Sequence, residues 1–145
     1  MFLGYHPAQL KKTNQLSLPP NWKGSISGSI YITQGFDQNL MVLTADTFEE
    51  IYVRIISLNI TDPLARLLMR MFLGTARCLE MDESQVIPIP PDLMKYANLK
   101  EKIVIVGQGD YIEVWSRTQW NKQQSQIQDA KANAQRFSSF TIVTR

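Results

Sequence analysis

The chain has 145 residues, 44% hydrophobic and 19% charged, a balance that excludes an intrinsically disordered segment and fits a globular body. Fifteen basic against thirteen acidic side chains leave a formal charge of +2, which by itself says nothing about a polyanionic partner. One cysteine, Cys78, and one histidine, His6, exclude an internal disulfide and any Cys/His metal cluster.

The distribution of charge says more than its sum. No acidic residue precedes Asp37, while Lys11, Lys12 and Lys23 lie in that stretch, so the first part of the chain is locally basic. The longest apolar runs, IVIVG and LMVL, fall far short of the roughly 20 residues of a membrane span, and the expectation is a cytoplasmic protein.

In chain order, residues 15–19 (QLSLP) alternate apolar and polar side chains as a half-buried strand does, and Pro19-Pro20 end it. Pro20-Asn21-Trp22 reads as a turn opening one helical turn. GSIYITQGF at 28–36 followed by LMVLT reads as a hairpin turned at Asp37-Gln38-Asn39. A helical pattern runs from Thr44 to Leu58, with Thr44 or Asp46 as cap. Asp62-Pro63 opens an amphipathic helix with Leu64, Leu67, Leu68 and Met71 on one stripe and Arg66 and Arg70 on the other. KIVIVGQG at 102–109 with YIEVW is a second hairpin, and Ser116 opens a long polar helical stretch to about Arg136. The apolar tail at 137–145 reads either as a further strand or as residues outside the fold.

Much of this order is written twice. Leu16, Leu18, Pro19 and Pro20 stand 71 residues before Ile87, Ile89, Pro90 and Pro91. Phe2-Leu3-Gly4 recurs 70 residues on as Phe72-Leu73-Gly74, and LMVLTADTF aligns with IEVWSRTQW 72 residues later. Gly35 and Gly107 share that last register. Two diverged copies of one unit follow, each reading strand, strand, short turn, hairpin, helix. A unit of about 60 residues buries too little surface to be secure alone, so the copies are expected to share one core. The class is α+β, and two sets of three or four strands predict a closed or nearly closed, barrel-like sheet.

The opening MFLG, the LSLP phrase, DPLAR running into FLGTA, then MD with IPIPP, and IVGQGDYIEVW, together resemble the MraZ family over residues 1 to about 121. The resemblance implies two tandem, pseudo-symmetric AbrB-like swapped-hairpin units forming one barrel-like core with flanking helices. The corresponding division is a first repeat at 1–60, a connecting helix at 61–74, a second repeat with its helix at 75–136, and a tail at 137–145. It also implies a ring-forming homo-oligomer that binds short tandem DNA repeats and represses the division and cell-wall gene cluster it heads. Such a protein is cytoplasmic and nucleoid-associated, with no cofactor and no small-molecule substrate.

The family's functional motif places an aspartate and an arginine, with three residues between them, just before each LSLP-type phrase. The first copy here reads KKTNQ, with Lys11 at the aspartate position and Gln15 at the arginine position. The second reads DESQV, keeping Asp82 but placing Val86 where arginine stands. Neither replacement reproduces a guanidinium fork that grips guanine or phosphate at two points. Lys11 and Lys12 supply point charges, and Asn14 and Gln15 supply hydrogen-bonding amides, whereas Asp82 and Glu83 repel phosphate. The candidate DNA-binding residues are therefore Lys11, Lys12, Thr13, Asn14 and Gln15, with Asp82 read as a turn cap or ion-pair partner. The absent arginines leave a second reading open: a scaffold that keeps the assembly and has lost DNA. His6 and Cys78 read as surface or core residues, Trp22, Trp115 and Trp120 as packing anchors, and no catalytic constellation is present.

Overall fold

In the computed structural model, which describes residues 1–12 and 14–142, strands and helices follow in the order β1 (Tyr5–Gln9), β2 (Gln15–Ser17), a 3-10 turn (Pro20–Trp22), β3 (Gly28–Gln34), β4 (Leu40–Thr44), α1 (Ala45–Ile56), α2 (Pro63–Phe72), β5 (Arg77–Met81), β6 (Val86–Pro88), α3 (Pro91–Tyr96), β7 (Lys102–Gly107), β8 (Tyr111–Ser116), α4 (Arg117–Gln128) and α5 (Ala130–Arg136). The repeated phrase meets its own copy. β2 and β6 pair antiparallel with Leu16 opposite Ile87, the two residues that correspond between the copies.

The other strand pairings obey the same approximate two-fold relation. The hairpins β3–β4 and β7–β8 join through β4 and β8, where Met41 faces Glu113. The first strand of each half then pairs with the hairpin of the other half: β1 with β7, and β5 with β3. Neither half therefore completes its sheet alone.

The sheet is open, which corrects the barrel expectation. Its six strands run β1-β7-β8-β4-β3-β5, and β2-β6 forms a separate two-stranded ribbon. Closure would require β1 and β5 to find partners on their outer sides. Instead the two strands lie at opposite ends of the sheet, and the residues that could have bridged them pair with each other as the ribbon. Pro7 sits in edge strand β1 and Pro88 in the ribbon, positions where a missing N–H costs no ladder bond.

Both faces of the open sheet are covered, which explains why β4, β7 and β8 read as near-continuous apolar runs. Leu40, Val42, Ile103, Ile105, Ile112 and Val114 face the ribbon, where Leu16, Leu18, Ile87 and Ile89 meet them with Trp22 and Leu93. On the opposite face Met41 and Leu43 pack on Ile55 of α1 and Phe72 of α2, while Val104 and Val106 pack on Trp115 and Trp120 at the start of α4. All three tryptophans are buried, as packing anchors.

Helix ends follow their local chemistry. Thr44, not Asp46, caps α1 by accepting from the Thr47 N–H at 3.3 Å, and Asp62 caps α2 by accepting from the Leu64 N–H at 2.9 Å. The single helix expected from Ser116 to Arg136 is two: the chain leaves helical geometry at Asp129, whose carboxylate accepts from Ala132 N–H and starts α5. In α2 Ala65 and Phe72 are buried, with Leu68 and Met69 half-buried against the same core, so Leu64 and Leu67 point outward. No strand occurs at residues 137–142, and the end of the tail lies outside the described residues. No helix among the described residues is long and apolar enough to cross a membrane.

Candidate nucleic-acid interface

β1 leads into β2 through a turn closed by two bonds between the same residues: Lys11 N–H donates to Gln15 O at 2.8 Å, and Gln15 N–H to Lys11 O at 2.8 Å. With only three residues between these partners the backbone must reverse sharply, and Lys12 takes a positive φ of 47°. Lys11 and Lys12 are exposed at this turn, and Asn14 and Gln15 are half-buried. Thr13, the remaining candidate, lies outside the described residues.

The turn is braced from the second half. Ile89 N–H donates to Asn14 O at 2.9 Å, and Asn14 Nδ2 reaches Ile89 O at 3.5 Å. Asn14 thus anchors the turn to the ribbon, and Gln15 is engaged through its backbone as the first residue of β2. Among the described candidates, the two lysines carry the outward-facing chemistry.

The second loop is built differently. Asp82 accepts from Ser84 N–H at 3.0 Å and from the Ser84 hydroxyl, and these bonds hold its carboxyl below the usual range. Gln85, with φ 55°, donates through Nε2 to Ile26 O at 3.3 Å, and its Oε1 accepts from Gly24 N–H at 3.3 Å. The motif aspartate is therefore a turn cap, and the loop is fastened to the first half. Val86 is the first residue of β6, opposite Ser17.

Sequence reasoning missed two cations beside the first turn. Lys102 lies opposite Gln9 in the β1–β7 register, and Arg117 follows Ser116, which lies opposite Ile103. Both line a cleft of about 430 Å³ together with Lys11. Nothing in the linear spacing of 11, 102 and 117 signals this meeting, because it depends on sheet order.

Elsewhere, His6 packs edge-on against Trp22 with ring centroids 4.8 Å apart, and its buried Nε2 has no hydrogen-bond partner. Cys78 is an exposed free thiol. Among the described residues no group of three or more His, Cys, Asp or Glu side chains could hold a metal ion.

A family model described as "MraZ protein, putative antitoxin-like" matches residues 71–140. The chain is 33% identical over 143 residues to the transcriptional regulator MraZ of Herpetosiphon aurantiacus, covering 98% of this chain and all of that protein. It is 32% identical over 123 residues to the transcriptional regulator MraZ of Thermomicrobium roseum, covering 85% of this chain and 87% of the relative. Both relatives bear the name of a regulator and neither that of an enzyme. Similarity at this level over 98% of the chain, together with the doubled unit described above, makes this protein a member of the MraZ family.

Proposed function

We propose that the protein is a DNA-binding transcriptional repressor of MraZ type, acting in the cytoplasm at the nucleoid on short direct repeats upstream of its own gene cluster. The observation that carries this reading is the braced Lys11–Gln15 turn, which presents exposed lysines at the family's motif position in a chain 33% identical over 98% of its length to a named transcriptional regulator. The reciprocal pairing of β1 with β7 and of β5 with β3 supports tandem swapped-hairpin units, divided near residues 60 and 75.

Self-association into a ring is part of the same reading. The outward stripe of α2 leaves Leu64 72%, Leu67 59% and neighbouring Phe36 64% exposed, and with Leu68 and Met71 they line an apolar groove of about 560 Å³. A contiguous apolar surface of this kind is the mark of an interaction site. Linked turns reading repeated boxes would gain about 10² to 10⁴ fold in avidity, which offsets the loss of both motif arginines.

The test is binding of the purified protein to a labelled fragment from upstream of its gene, titrated with salt against scrambled DNA of equal length. The repressor reading expects preferential, salt-sensitive binding. Lys11→Ala/Lys12→Ala should weaken binding to all sequences, while Gln15→Ala should alter sequence preference. A folded, oligomeric protein with no preference at low salt would instead favour the scaffold reading, which the capped, acidic second loop already supports.

A further inference from the structure

Three neighbouring strand ends gather cations that are far apart in sequence. Gln9 is opposite Lys102 and Leu10 N–H donates to Glu101 O at 2.9 Å, so Lys11 leaves β1 next to the start of β7. Ile103 is opposite Ser116, so Arg117, at the first position of α4, emerges on the other side of Lys102. Strands lie about 4.8 Å apart, which spreads the three cations over roughly 10 Å.

The cleft they share is lined by Ala8, Gln9, Lys11, Ser17, Lys102 and Arg117, with no acidic side chain in its wall. An adjoining depression repeats Lys102 and Arg117 and adds Lys100 and one carboxylate, Glu101. Arg77 and Asp92 form an ion pair, 3.0 Å apart, and among the described residues Lys11, Lys102 and Arg117 take no part in one. All three side chains are exposed. Like charges held side by side in an open cleft raise the local positive potential and attract an extended anion.

We infer that Lys102 and Arg117, together with Lys11, form a track for the DNA sugar–phosphate backbone beside the Lys11–Gln15 turn. The inference rests on the DNA-binding reading and extends it. A strand carries one phosphate per about 3.4 Å of helix axis, so three cations spread over roughly 10 Å can each meet a separate phosphate of one backbone. The track holds register and orientation and reads no sequence, because its cations meet phosphate and not base edges. It supplies backbone grip that a turn without arginine lacks.

The test compares the full-length parent with Lys102→Gln/Arg117→Gln in salt-titrated binding to the upstream fragment and to scrambled DNA. The expected result is weaker binding to both DNAs, an unchanged ratio between them, and a slope of log affinity on log salt reduced by about 1.8, about 0.9 per lost phosphate contact. Arg117→Lys should keep most of the slope. Unchanged oligomer size and thermal midpoint are expected, since both positions are exposed. A double variant with the parent's slope, when Lys11→Ala/Lys12→Ala lowers it, overturns the track and leaves the repressor reading standing. Loss of sequence preference with an intact slope also overturns it. A parent without salt-dependent DNA binding overturns both.

Discussion

Glu113 shows how one side chain organises a family phrase. It is buried in β8, and its Oε1 accepts from Trp115 Nε1 at 3.0 Å and from Gln108 Nε2 at 3.0 Å. The glutamate of EVW therefore ties the glutamine of GQG to the tryptophan two residues on, and fixes the β7–β8 turn. Removing the acceptor leaves a buried indole N–H unsatisfied, which costs about 1–3 kcal/mol. Glu113→Ala should lower the unfolding free energy by that amount in denaturant titration, while Glu113→Gln, which retains a carbonyl, should lose less. Equal stability of Glu113→Ala and parent would refute the anchoring role. Asp82 offers a pH-dependent counterpart. Its folded-state pKa lies below the unfolded value because Ser84 donates to it, so its contribution is present above the ordinary carboxylate pKa and disappears as pH falls through the lowered one. In Ser84→Ala the Asp82 carboxyl should titrate nearer its ordinary value by NMR, and any stability deficit of the variant should vanish in acid.

At the scale of elements, the N-terminal residues hold the second hairpin as firmly as a strand would. Phe2 exchanges two bonds with Gly109, at 2.8 and 2.9 Å, and Gly107 N–H donates to Gly4 O at 2.8 Å. A Cβ on Gly107 would stand 2.4 Å from the Phe2 carbonyl carbon and 2.6 Å from Leu3 N, both backbone atoms that cannot yield locally. Gly107→Ala should therefore destabilise by about 1–3 kcal/mol, the range of an overpacked interior, and hydrogen exchange should quicken first at residues 2–9. Exchange that stays uniform would mean that this crossing is not what holds the segment. On the other face, Phe72 is fully buried against Phe48, with ring centroids 5.5 Å apart, and it fixes how α2 lies on the sheet. Phe72→Ala should cost about 3–5 kcal/mol by calorimetry or denaturant unfolding. Because α2 is oriented by Phe72 and Ala65, its leucine stripe is left to solvent in the single chain.

For the whole molecule, that stripe is the surface on which the ring reading can be tested. Leu64→Glu/Leu67→Glu places charge in the apolar groove without touching a buried residue. Sedimentation should show a smaller species, and affinity for multi-box DNA should fall toward that for a single box, since avidity is lost when sites are no longer linked. An unchanged sedimentation coefficient would exclude this groove as the contact between copies. The exchanged strands carry a related consequence. Since β1 completes the second hairpin and β5 the first, the halves should unfold in one cooperative transition.

The amino-acid sequence by itself determined the doubled unit, because repetition of LSLPP in IPIPP and of LMVL in IEVW needs no geometry to be seen. It determined the two hairpins, the cap at Asp62 and family membership, and narrowed the cap of α1 to Thr44 or Asp46, since alternation, turn residues and motif strings are local signals. Sheet closure was not local. Counting strands predicted a barrel, yet β2 and β6 pair with each other, and only long-range competition for partners decides that. The same limit applies to α2, where only packing decides that Phe72 takes the interior while Leu64 and Leu67 stay exposed, and to the helix break at Asp129. It applies most to the candidate interface. KKTNQ was legible as a basic polar turn, but the bracing of Asn14 by Ile89 and the meeting of Lys11 with Lys102 and Arg117 exist only once strand order joins three distant segments.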